Sequence, residues 1–354
     1  MSPQKTGEVF ADEESVIMAK INVLRKVNVF IQRVKSGSFK RMFRNVELVH
    51  KESGKSSLRI FIDMVYSMFR YGTGYLDYMT FGFVYIKGKQ RRTFMTMNDN
   101  LALDKHLNDP EYKKYVHDKL VFNEMFTDFL KREYLNLKKA DFESFCAFCS
   151  GKESFFAKQT ETFGGLGVRK IHLDANTDLK ELYESLIRDG FFLVEETIRQ
   201  HEEMNRICAR SINTLRITTL TGPDGKPQCA YVLMRIGNGK TDVDNVTSGG
   251  MYTWVSEDGV LHFPAFCDKQ AAYFDRHPAS GTAFEGFKVP YYHEAVELCL
   301  QAAAKLPQIR YVGWDVAITP DGPCLVEGND LPGYDMQIFD RSAGRHFDPH
   351  AGCS

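Results

Sequence analysis

The end of the chain contains the pattern that most restricts its fold. Two short apolar runs, residues 311–318 and 324–329, flank the segment Thr319-Pro320-Asp321-Gly322-Pro323. Turn-forming residues between two apolar runs of strand length predict an antiparallel hairpin. Because such a hairpin needs further strands to bury its apolar face, we expect the C-terminal half of the chain to form an antiparallel sheet.

Carboxylates are expected to face each other across this hairpin. If its turn is centred on Asp321, Asp315 lies opposite Glu327, and the two-residue period of a strand puts Asn329 on the same face as Glu327. Opposed carboxylates destabilise a sheet without a counter-charge, and a hard cation such as Mg²⁺ would supply one. The pattern therefore predicts a metal site. An open, solvated edge and a register shifted by one residue are the alternatives.

An earlier hairpin carries the opposite charge. Runs at residues 214–220 and 229–236 flank a turn centred on Asp224-Gly225, so that Arg216 opposes Leu233 and Arg235 lies diagonally on the same face. Two guanidinium groups on a half-buried face predict an anion between them, or else pairing with nearby carboxylates. Together the two hairpins favour a site for a metal–polyphosphate complex.

A glycine-rich segment fits the same interpretation. Gly164, Gly165 and Gly167 lie between predicted strands at 155–158 and 168–173, where backbone N–H groups could cover phosphates as a flap. Lys158 precedes this segment and would supply a cation. The segment is neither a P-loop nor a dinucleotide fingerprint, because no Gly-Lys-Ser/Thr and no helix follow it. An ordinary glycine turn beside a surface lysine is the alternative.

The overall charge balance conceals a basic N-terminal stretch. The 354 residues contain 45 Lys+Arg and 46 Asp+Glu, which argues against a protein that coats nucleic acid. Residues 20–59, however, contain 11 Lys or Arg against 2 Asp or Glu, within a pattern of helical period. This stretch predicts basic helices that meet an anionic membrane, polymer or other partner, or helices whose charges are simply solvated.

Cysteine spacing and hydropathy indicate a reduced, soluble, cytoplasmic protein. Cys146 and Cys149 form the one close pair among 8 cysteines, and such a pair is more typical of core thiols than of a metal or redox site. No apolar run approaches the roughly 20 residues that span a bilayer, and the first residues do not read as a signal peptide.

The order of these motifs resembles the ATP-grasp superfamily, and most closely its sugar-transfer-associated, glutamate-ligase-like branch, over residues 106–339. The resemblance rests on an ordered set of segments: His117-Asp118-Lys119, residues 155–158, Gly164-Gly165-Leu166-Gly167, residues 194–198, Asn213-Thr214-Leu215-Arg216, Asn245, Gly249-Gly250, Gly313-Trp314-Asp315, and residues 327–333. It implies an α+β fold in which two subdomains clasp ATP. The expected parts are a basic helical region (1–105), a lid subdomain (106–198) and a C-terminal subdomain with the metal-binding strands (199–354).

The resemblance also implies residue roles. ATP would be bound by Lys119, Lys158, Gly164, Gly165, Gly167, Glu195, Glu196, Thr197 and Ile198, the last four at a hinge that meets adenine through backbone groups. Arg216, Arg235 and Asn245 would act on the transferred phosphoryl group, Gly249, Gly250 and His201 would lie near substrate, and Asp315, Glu327 and Asn329 would bind two Mg²⁺ ions, with Mn²⁺ as an alternative. For His201, a residue on a helix face is the other interpretation.

The implied activity is an ATP- and Mg²⁺-dependent ligase. It would activate a small-molecule or peptide carboxylate as an acyl phosphate for attack by an amine or hydroxyl, releasing ADP and phosphate. No nucleic acid partner and no membrane span are expected. Phosphoryl transfer to a hydroxyl, as in a kinase, is the alternative enzyme class. A nucleotide-binding protein without turnover is disfavoured by the intact set Lys119, Lys158, Asp315, Glu327 and Asn329.

Overall fold

A computed structural model describes residues 38–160, 167–241, 244, 246–270, 272–334, 339–340 and 345–346. The chain divides into two compact units, of which the first contains residues 38–97 with 345–346 and the second the described residues from 98 to 340. Much of the basic stretch, residues 20–37, lies outside the described residues. Each unit is described by itself.

The first unit is helical, as the periodicity predicts. It contains α1 (Ser38–Ser53), α2 (Ser57–Tyr71), α3 (Tyr75–Thr80) and a short 3-10 helix (Gln90–Arg92). Residues 54–56 separate α1 from α2. The centre of the first unit contains an ion pair as well as apolar side chains, because the buried Arg91 guanidinium donates to Asp63 at 2.5 and 2.8 Å. Aromatic rings surround this guanidinium, with Phe83 at 5.1 Å.

The second unit begins with short helices. These are α4 (Met97–Leu107), α5 (Lys114–His117), α6 (Lys119–Met125) and α7 (Thr127–Leu130). The leucines and alanine of α4 favour a helix, and Asp99 lies in its first turn. The domain boundary expected at residue 105 falls inside this helix.

A four-stranded antiparallel sheet follows. Its strands are β1 (Tyr134–Asn136), β2 (Ser154–Lys158), β3 (Val168–His172) and β4 (Leu193–Glu196), in the order β1-β4-β2-β3. Helices α8 (Phe142–Cys149) and α9 (Leu179–Arg188) provide the other half of its core. Phe145, Phe155, Leu186 and Val194 are fully buried there.

A seven-stranded antiparallel sheet forms the rest of the second unit. Its order is β11-β10-β5-β6-β7-β8-β9, and its strands are β5 (Thr214–Thr221), β6 (Pro227–Ile236), β7 (Met251–Val255), β8 (Ala265–Cys267), β9 (Ala272–Phe274), β10 (Tyr311–Thr319) and β11 (Gly322–Asn329). Between them lie α10 (Glu202–Ile207), a short 3-10 helix (Val246–Ser248) and α11 (Tyr292–Lys305). Two short strands, β12 (Phe339–Asp340) and β13 (Arg345–His346), come later in the chain. Helix α11 packs across the sheet, so the largest core lies between them.

Both predicted hairpin registers are confirmed at the charged positions. Asp315 pairs with Glu327, and Arg216 pairs with Leu233. The first match has an unexpected cause. Thr319 pairs with Gly322 in a two-residue turn, and a bulge after Asp315, where Val316 pairs with Leu325, restores the expected partner.

The close cysteine pair is confirmed as two core thiols. Cys146 is half-buried and Cys149 is buried against the four-stranded sheet, and neither forms a disulfide. Burial raises the pKa of the Cys149 thiol to about 11, and the charge of Cys146 adds to the effect. Among the described helices, none is both long enough and apolar enough to cross a membrane.

Candidate active site

A cavity of about 290 Å³ in the second unit contains five of the predicted site residues. Its polar lining includes Lys119, Lys158, Glu195, Glu327 and Asn329, and its apolar lining includes Val116, Phe122 and Val326. The charged residues come from α6, β2, β4 and β11. The fold therefore brings together side chains that are up to about 210 positions apart in the chain. The volume of the cavity lies at the small end of the range for small-molecule sites.

Two lysines supply the cationic part of the cavity. Lys119 is the first residue of α6, whose N-terminus is capped by the Asp118 carboxylate accepting from the backbone N–H groups of Leu120 and Val121 at 2.8 and 3.2 Å. Lys158 ends β2. Burial lowers the pKa of Lys119, whereas the charge of Glu327 opposes this change. Both lysines are thus held by regular elements rather than by loops.

Glu195 connects the two sheets of this unit. Its buried carboxylate forms an ion pair with Lys158, and it accepts hydrogen bonds from Arg132 at 2.9 Å and Asn123 at 2.7 Å. Burial disfavours the ionised form, yet the charges of Arg132 and Lys158 outweigh it and hold the pKa of Glu195 well below its usual range. The same Arg132 donates to the Leu325 carbonyl of β11.

The anion between the two predicted arginines is the carboxylate of Asp315. Arg216 donates to both Asp315 oxygens, one of them at 3.1 Å, and Arg235 donates to Oδ2 at 2.6 Å. All three side chains are buried. Of the two interpretations of the arginine face, pairing with a nearby carboxylate is therefore the one realised. Burial raises the pKa of Asp315, but both guanidinium groups outweigh it and hold this pKa well below its usual range.

Glu327 shows the opposite behaviour. Burial, the charge of Asp315 and a hydrogen bond shared with Asp315 raise the pKa of Glu327. Asn329, two residues along, donates from Nδ2 to the Gly313 carbonyl at 3.4 Å, which leaves its carbonyl oxygen as the atom suited to a cation. The Glu327 carboxylate beside the Asn329 amide oxygen fits a hard divalent cation, and Asp315, although both its oxygens already accept from Arg216 or Arg235, completes this donor set.

That donor set includes only two acidic side chains. No group of three His, Cys, Asp or Glu side chains suited to a metal ion occurs within the part of the chain that the structure describes. The metal assignment of Asp315, Glu327 and Asn329 therefore depends on the amide oxygen and on the carboxylate pair.

Of the predicted site residues that the structure describes, ten do not line the cavity: Gly167, Glu196, Thr197, Ile198, His201, Arg216, Arg235, Gly249, Gly250 and Asp315. The ring of His201 caps α10, since Nδ1 accepts from the Glu203 backbone N–H at 3.1 Å, and it lies edge-on to Tyr291 at 5.8 Å. This matches the interpretation of His201 as a helix residue. Gly249 has φ +92, a left-handed conformation that favours glycine.

The hinge assignment of residues 194–198 stays a prediction. Within this segment the Glu196 backbone N–H donates to the Glu133 carbonyl at 2.9 Å, and the Thr197 hydroxyl donates to the Ser154 carbonyl at 3.1 Å.

The predicted flap is described only at its end. Gly167 lies at φ +68, and its carbonyl accepts from the Gln159 backbone N–H at 2.8 Å. The predicted residues Gly164, Gly165 and Asn245 lie outside the described residues.

Three residues in contact with this site were missed in the sequence. Asn123 and Arg132 bind Glu195, and Asp244 lies 3.6 Å from Arg235. Asn123 follows Lys119 by four positions, which places both on one face of α6, so helical spacing could have identified it. No comparable spacing links Arg132 or Asp244 to its partner.

Comparison with known proteins supplies the family. The family described as sugar-transfer associated ATP-grasp matches residues 98–347, which are 250 of the 354 residues. No curated protein matches.

Solved structures with some likeness include three ligases and synthetases. The D-alanine-D-alanine ligase from Coxiella burnetii is 12% identical, with a TM-score of 0.39 over 66% of this chain and 56% of that chain. The ATP-grasp ligase PsnB, complexed with a precursor variant, Mg and ADP, is 14% identical, with a TM-score of 0.38 over 66% of this chain and 57% of that chain. N5-carboxyaminoimidazole ribonucleotide synthetase from Thermotoga maritima is 15% identical, with a TM-score of 0.39 over 66% of this chain and 49% of that chain. The chain thus spans about half the length of these proteins, between 49% and 57%. On the strength of the family match, which covers both sheets and the whole cavity, the chain belongs to the sugar-transfer associated ATP-grasp family and has its α+β ATP-grasp fold.

Proposed function

We propose that the protein is an ATP-dependent, ADP-forming ligase that joins a carboxylate to an amine or hydroxyl. The observation that carries this proposal is the cavity that Lys119 and Lys158 line together with the Glu327 and Asn329 end of a hairpin. Cations and cation ligands in one cavity suit a metal–polyphosphate substrate. Family membership makes ATP the polyphosphate of choice.

The reaction has two steps. An oxygen of the carboxylate substrate attacks the γ-phosphorus of ATP, the bond to the β-phosphate oxygen breaks, and ADP leaves. The amine nitrogen then attacks the carbonyl carbon of the acyl phosphate, inorganic phosphate leaves with its bonding electron pair, and the amine loses a proton to water. Neither step requires a protein nucleophile, so catalysis depends on positioning and on charge stabilisation.

The residues of the chain have distinct tasks in this scheme. Lys119 and Lys158 bind phosphate oxygens and hold the nucleotide against the sheet. Glu195 neutralises part of the charge of Lys158 in the free enzyme and keeps its ammonium group aimed into the cavity. Arg216 and Arg235 fix the position of Asp315 and provide positive potential behind the transferred group.

Asp315, Glu327 and Asn329 would hold the cation. The raised pKa of Glu327 reflects burial and an unresolved repulsion with Asp315, which a divalent cation would remove. When bound, Mg²⁺ would offset charge on the phosphates during phosphoryl transfer.

Oxygen isotope transfer tests this proposal directly. A panel of amino acids, peptides and sugar acids labelled with ¹⁸O in the carboxylate is incubated with ATP, Mg²⁺ and amines, and ³¹P spectra are recorded. We expect inorganic phosphate that carries one ¹⁸O atom, formed only when the carboxylate and the amine are both present. A stable phosphomonoester would instead establish a kinase and overturn the proposal, as would phosphate free of ¹⁸O.

A further inference from the structure

Helix α2 exposes a continuous apolar stripe. The exposed fractions are 67% for Leu58, 59% for Ile62, 52% for Tyr66 and 36% for Phe69. At about 100° per residue, these four side chains fall within about 80° of the helix circumference. The opposite face is already used, because Ile60 and Met64 are buried in the first unit. Helix α2 is therefore apolar on two faces, and only one of them contributes to the core.

The stripe continues onto α1. Phe43 is 54% exposed, and its ring stacks on that of Phe61 with centroids 5.6 Å apart. We call this set the α1–α2 surface; its members are Phe43, Leu58, Phe61, Ile62, Tyr66 and Phe69. Exposed apolar side chains that are contiguous over two helices mark an interaction site more often than scattered ones do.

Positive charge borders this surface. The two helices and the turn between them contain seven Lys or Arg and three Asp or Glu. All three acidic side chains are engaged, with Lys51, Tyr85 and Arg91 respectively. The exposed basic residues are Arg41, Arg44, Lys51, Lys55, Arg59 and Arg70. On the wheel of α2, Arg59 and Arg70 follow directly beside the stripe.

The combination of apolar area and positive charge indicates which kind of partner the α1–α2 surface binds. An acidic polymer would match the charge but would leave the aromatic and aliphatic side chains in water. A second copy of the chain would bring an equal positive charge against this surface. The upstream residues 20–35 would do the same, because they contain five Lys or Arg and no Asp or Glu. An anionic lipid interface offers acyl chains for the stripe and phosphates for its border.

We propose that the α1–α2 surface docks the protein on an anionic phospholipid bilayer. The two helices lie in the plane of the interface, with Leu58, Ile62 and Phe69 inserted among the headgroups. Arg59 and Arg70 contact lipid phosphates. The surface binds the membrane without crossing it.

Co-sedimentation of the full chain with vesicles tests the proposal. The probes are phosphatidylcholine vesicles and vesicles with about 30% phosphatidylglycerol, at salt concentrations where the Debye length is about 10 Å and about 4 Å. We expect binding to the anionic vesicles at low salt and at least about tenfold weaker binding at high salt or without phosphatidylglycerol.

Two pairs of variants locate the binding surface. Replacing Ile62 and Phe69 by Asn removes apolar contact, and replacing Arg59 and Arg70 by Glu reverses the border charge; each double variant is expected to weaken binding about tenfold or more. The matched controls are Leu101→Asn with Phe142→Asn, and Lys180→Glu with Arg188→Glu, all exposed in the second unit. These controls should bind as the wild type does.

Three outcomes would overturn the proposal. Equal binding to neutral and anionic vesicles is one, and unchanged binding of both α2 variants is another. The third is a combination of two results: the wild type does not bind vesicles, and light scattering shows a dimer that the Ile62→Asn, Phe69→Asn double variant dissociates. The surface would then bind a second copy of the chain. Since all four substituted side chains are exposed, circular dichroism should confirm that the variants fold; the salt and lipid dependence of the wild type is measured without any variant.

Discussion

Asp315 and Glu327 face each other across one hairpin, and yet their pKa values move in opposite directions. The difference between the two pKa values arises from arginines on the neighbouring strands β5 and β6. Arg216 lies opposite Asp315 on β5, and Arg235 reaches the same carboxylate from β6, so both guanidinium charges act mainly on Asp315. Glu327 is left with the repulsion of Asp315 and with the cost of burial.

Substitution of Glu327 by Gln tests its role as a ligand. Because the raised pKa already favours a neutral side chain, Glu327→Gln should leave the melting temperature within a few degrees of the wild type. Mg²⁺-dependent ATP turnover should fall by more than the roughly 10–100-fold cost of losing an outer-shell partner of a metal. The control Glu257→Gln changes an exposed glutamate in a turn. Near wild-type turnover of Glu327→Gln would remove this residue from the site.

Lys158→Ala tests the phosphate assignment through binding alone. A saturating ligand stabilises a folded protein by about 2.7 kcal/mol at a hundred times its dissociation constant. We expect ATP to raise the melting temperature of the wild type and of the exposed-lysine control Lys180→Ala, but to have little effect on Lys158→Ala. If ATP raises all three melting temperatures equally, Lys158 does not bind nucleotide.

Gly313 allows the close approach of Arg216 to β10. A Cβ at this position would lie 2.9 Å from Cδ of Arg216 and 3.2 Å from Cβ of Pro332. Gly313→Ala should therefore displace the Arg216 guanidinium, cost about 1–3 kcal/mol of stability and lower turnover. Denaturant titration and ATP turnover measure both effects. Unchanged stability and turnover would show that this crowding relaxes without moving Arg216.

At the level of elements, both charged hairpins could be predicted from their turns. For Arg216, counting from Asp224-Gly225 gave the right partner, Leu233, although the pairs next to the turn are centred on Asp224 and the register shifts by one between Thr218 and Thr219. For Asp315, the same arithmetic reached the right partner although it assumed a longer turn, because the bulge compensates for the shorter one. Bulges leave little trace in a single sequence, so such an agreement is partly fortuitous.

The contacts of Glu195 could not have been predicted from spacing. Its partners Asn123, Arg132 and Lys158 come from α6, from the segment after α7 and from β2. They meet because helices α5, α6 and α7 pack against β11, which depends on the shape of the core rather than on any local pattern. The sequence supported Glu195 as part of a motif, but the identity of its partners required the structure.

This ion-pair cluster should make the second unit sensitive to acid. The pKa of Glu195 is depressed by folding, so its contribution to stability is present above the unfolded value of about 4.3 and is lost as the pH falls toward the folded value. We expect the melting temperature to fall between about pH 5 and pH 3. In Glu195→Gln the melting temperature should be lower at pH 7 and should vary less over this range.

The matched control for this experiment is Glu184→Gln, which changes an exposed residue of α9. Its acid profile should follow the wild type. An equal slope in Glu195→Gln and in the wild type would show that other carboxylates govern the acid transition.

At the level of the whole molecule, the seven described cysteines are free thiols and most of them are buried. Burial raises the pKa of Cys299 well above its usual value, so its reactive thiolate is scarce as well as inaccessible. We expect a thiol reagent to label the buried Cys149, Cys299 and Cys324, whose pKa values burial raises, slowly in the native protein, and to label all cysteines in denaturant without any reductant. If denatured, unreduced protein shows fewer than seven reactive thiols, a disulfide is present.

The nearly neutral total charge is the sum of separated regions. The basic border of the α1–α2 surface lies in the first unit, whereas the ion-paired cavity lies in the second. The basic character of the N-terminal stretch was visible in composition. That its helices also expose an apolar stripe was not, because an apolar face in a sequence does not reveal whether the fold covers it.

Arg132 has a further consequence for how the protein behaves at high concentration. Strand β11 is an outer strand of its sheet, and an outer strand can template pairing with another molecule. The guanidinium of Arg132 occupies the carbonyls of Leu325 and Val326, and the bulge bends the strand at the same place. One side chain thereby takes the hydrogen-bonding position that an incoming strand would need, which protects this edge against aggregation.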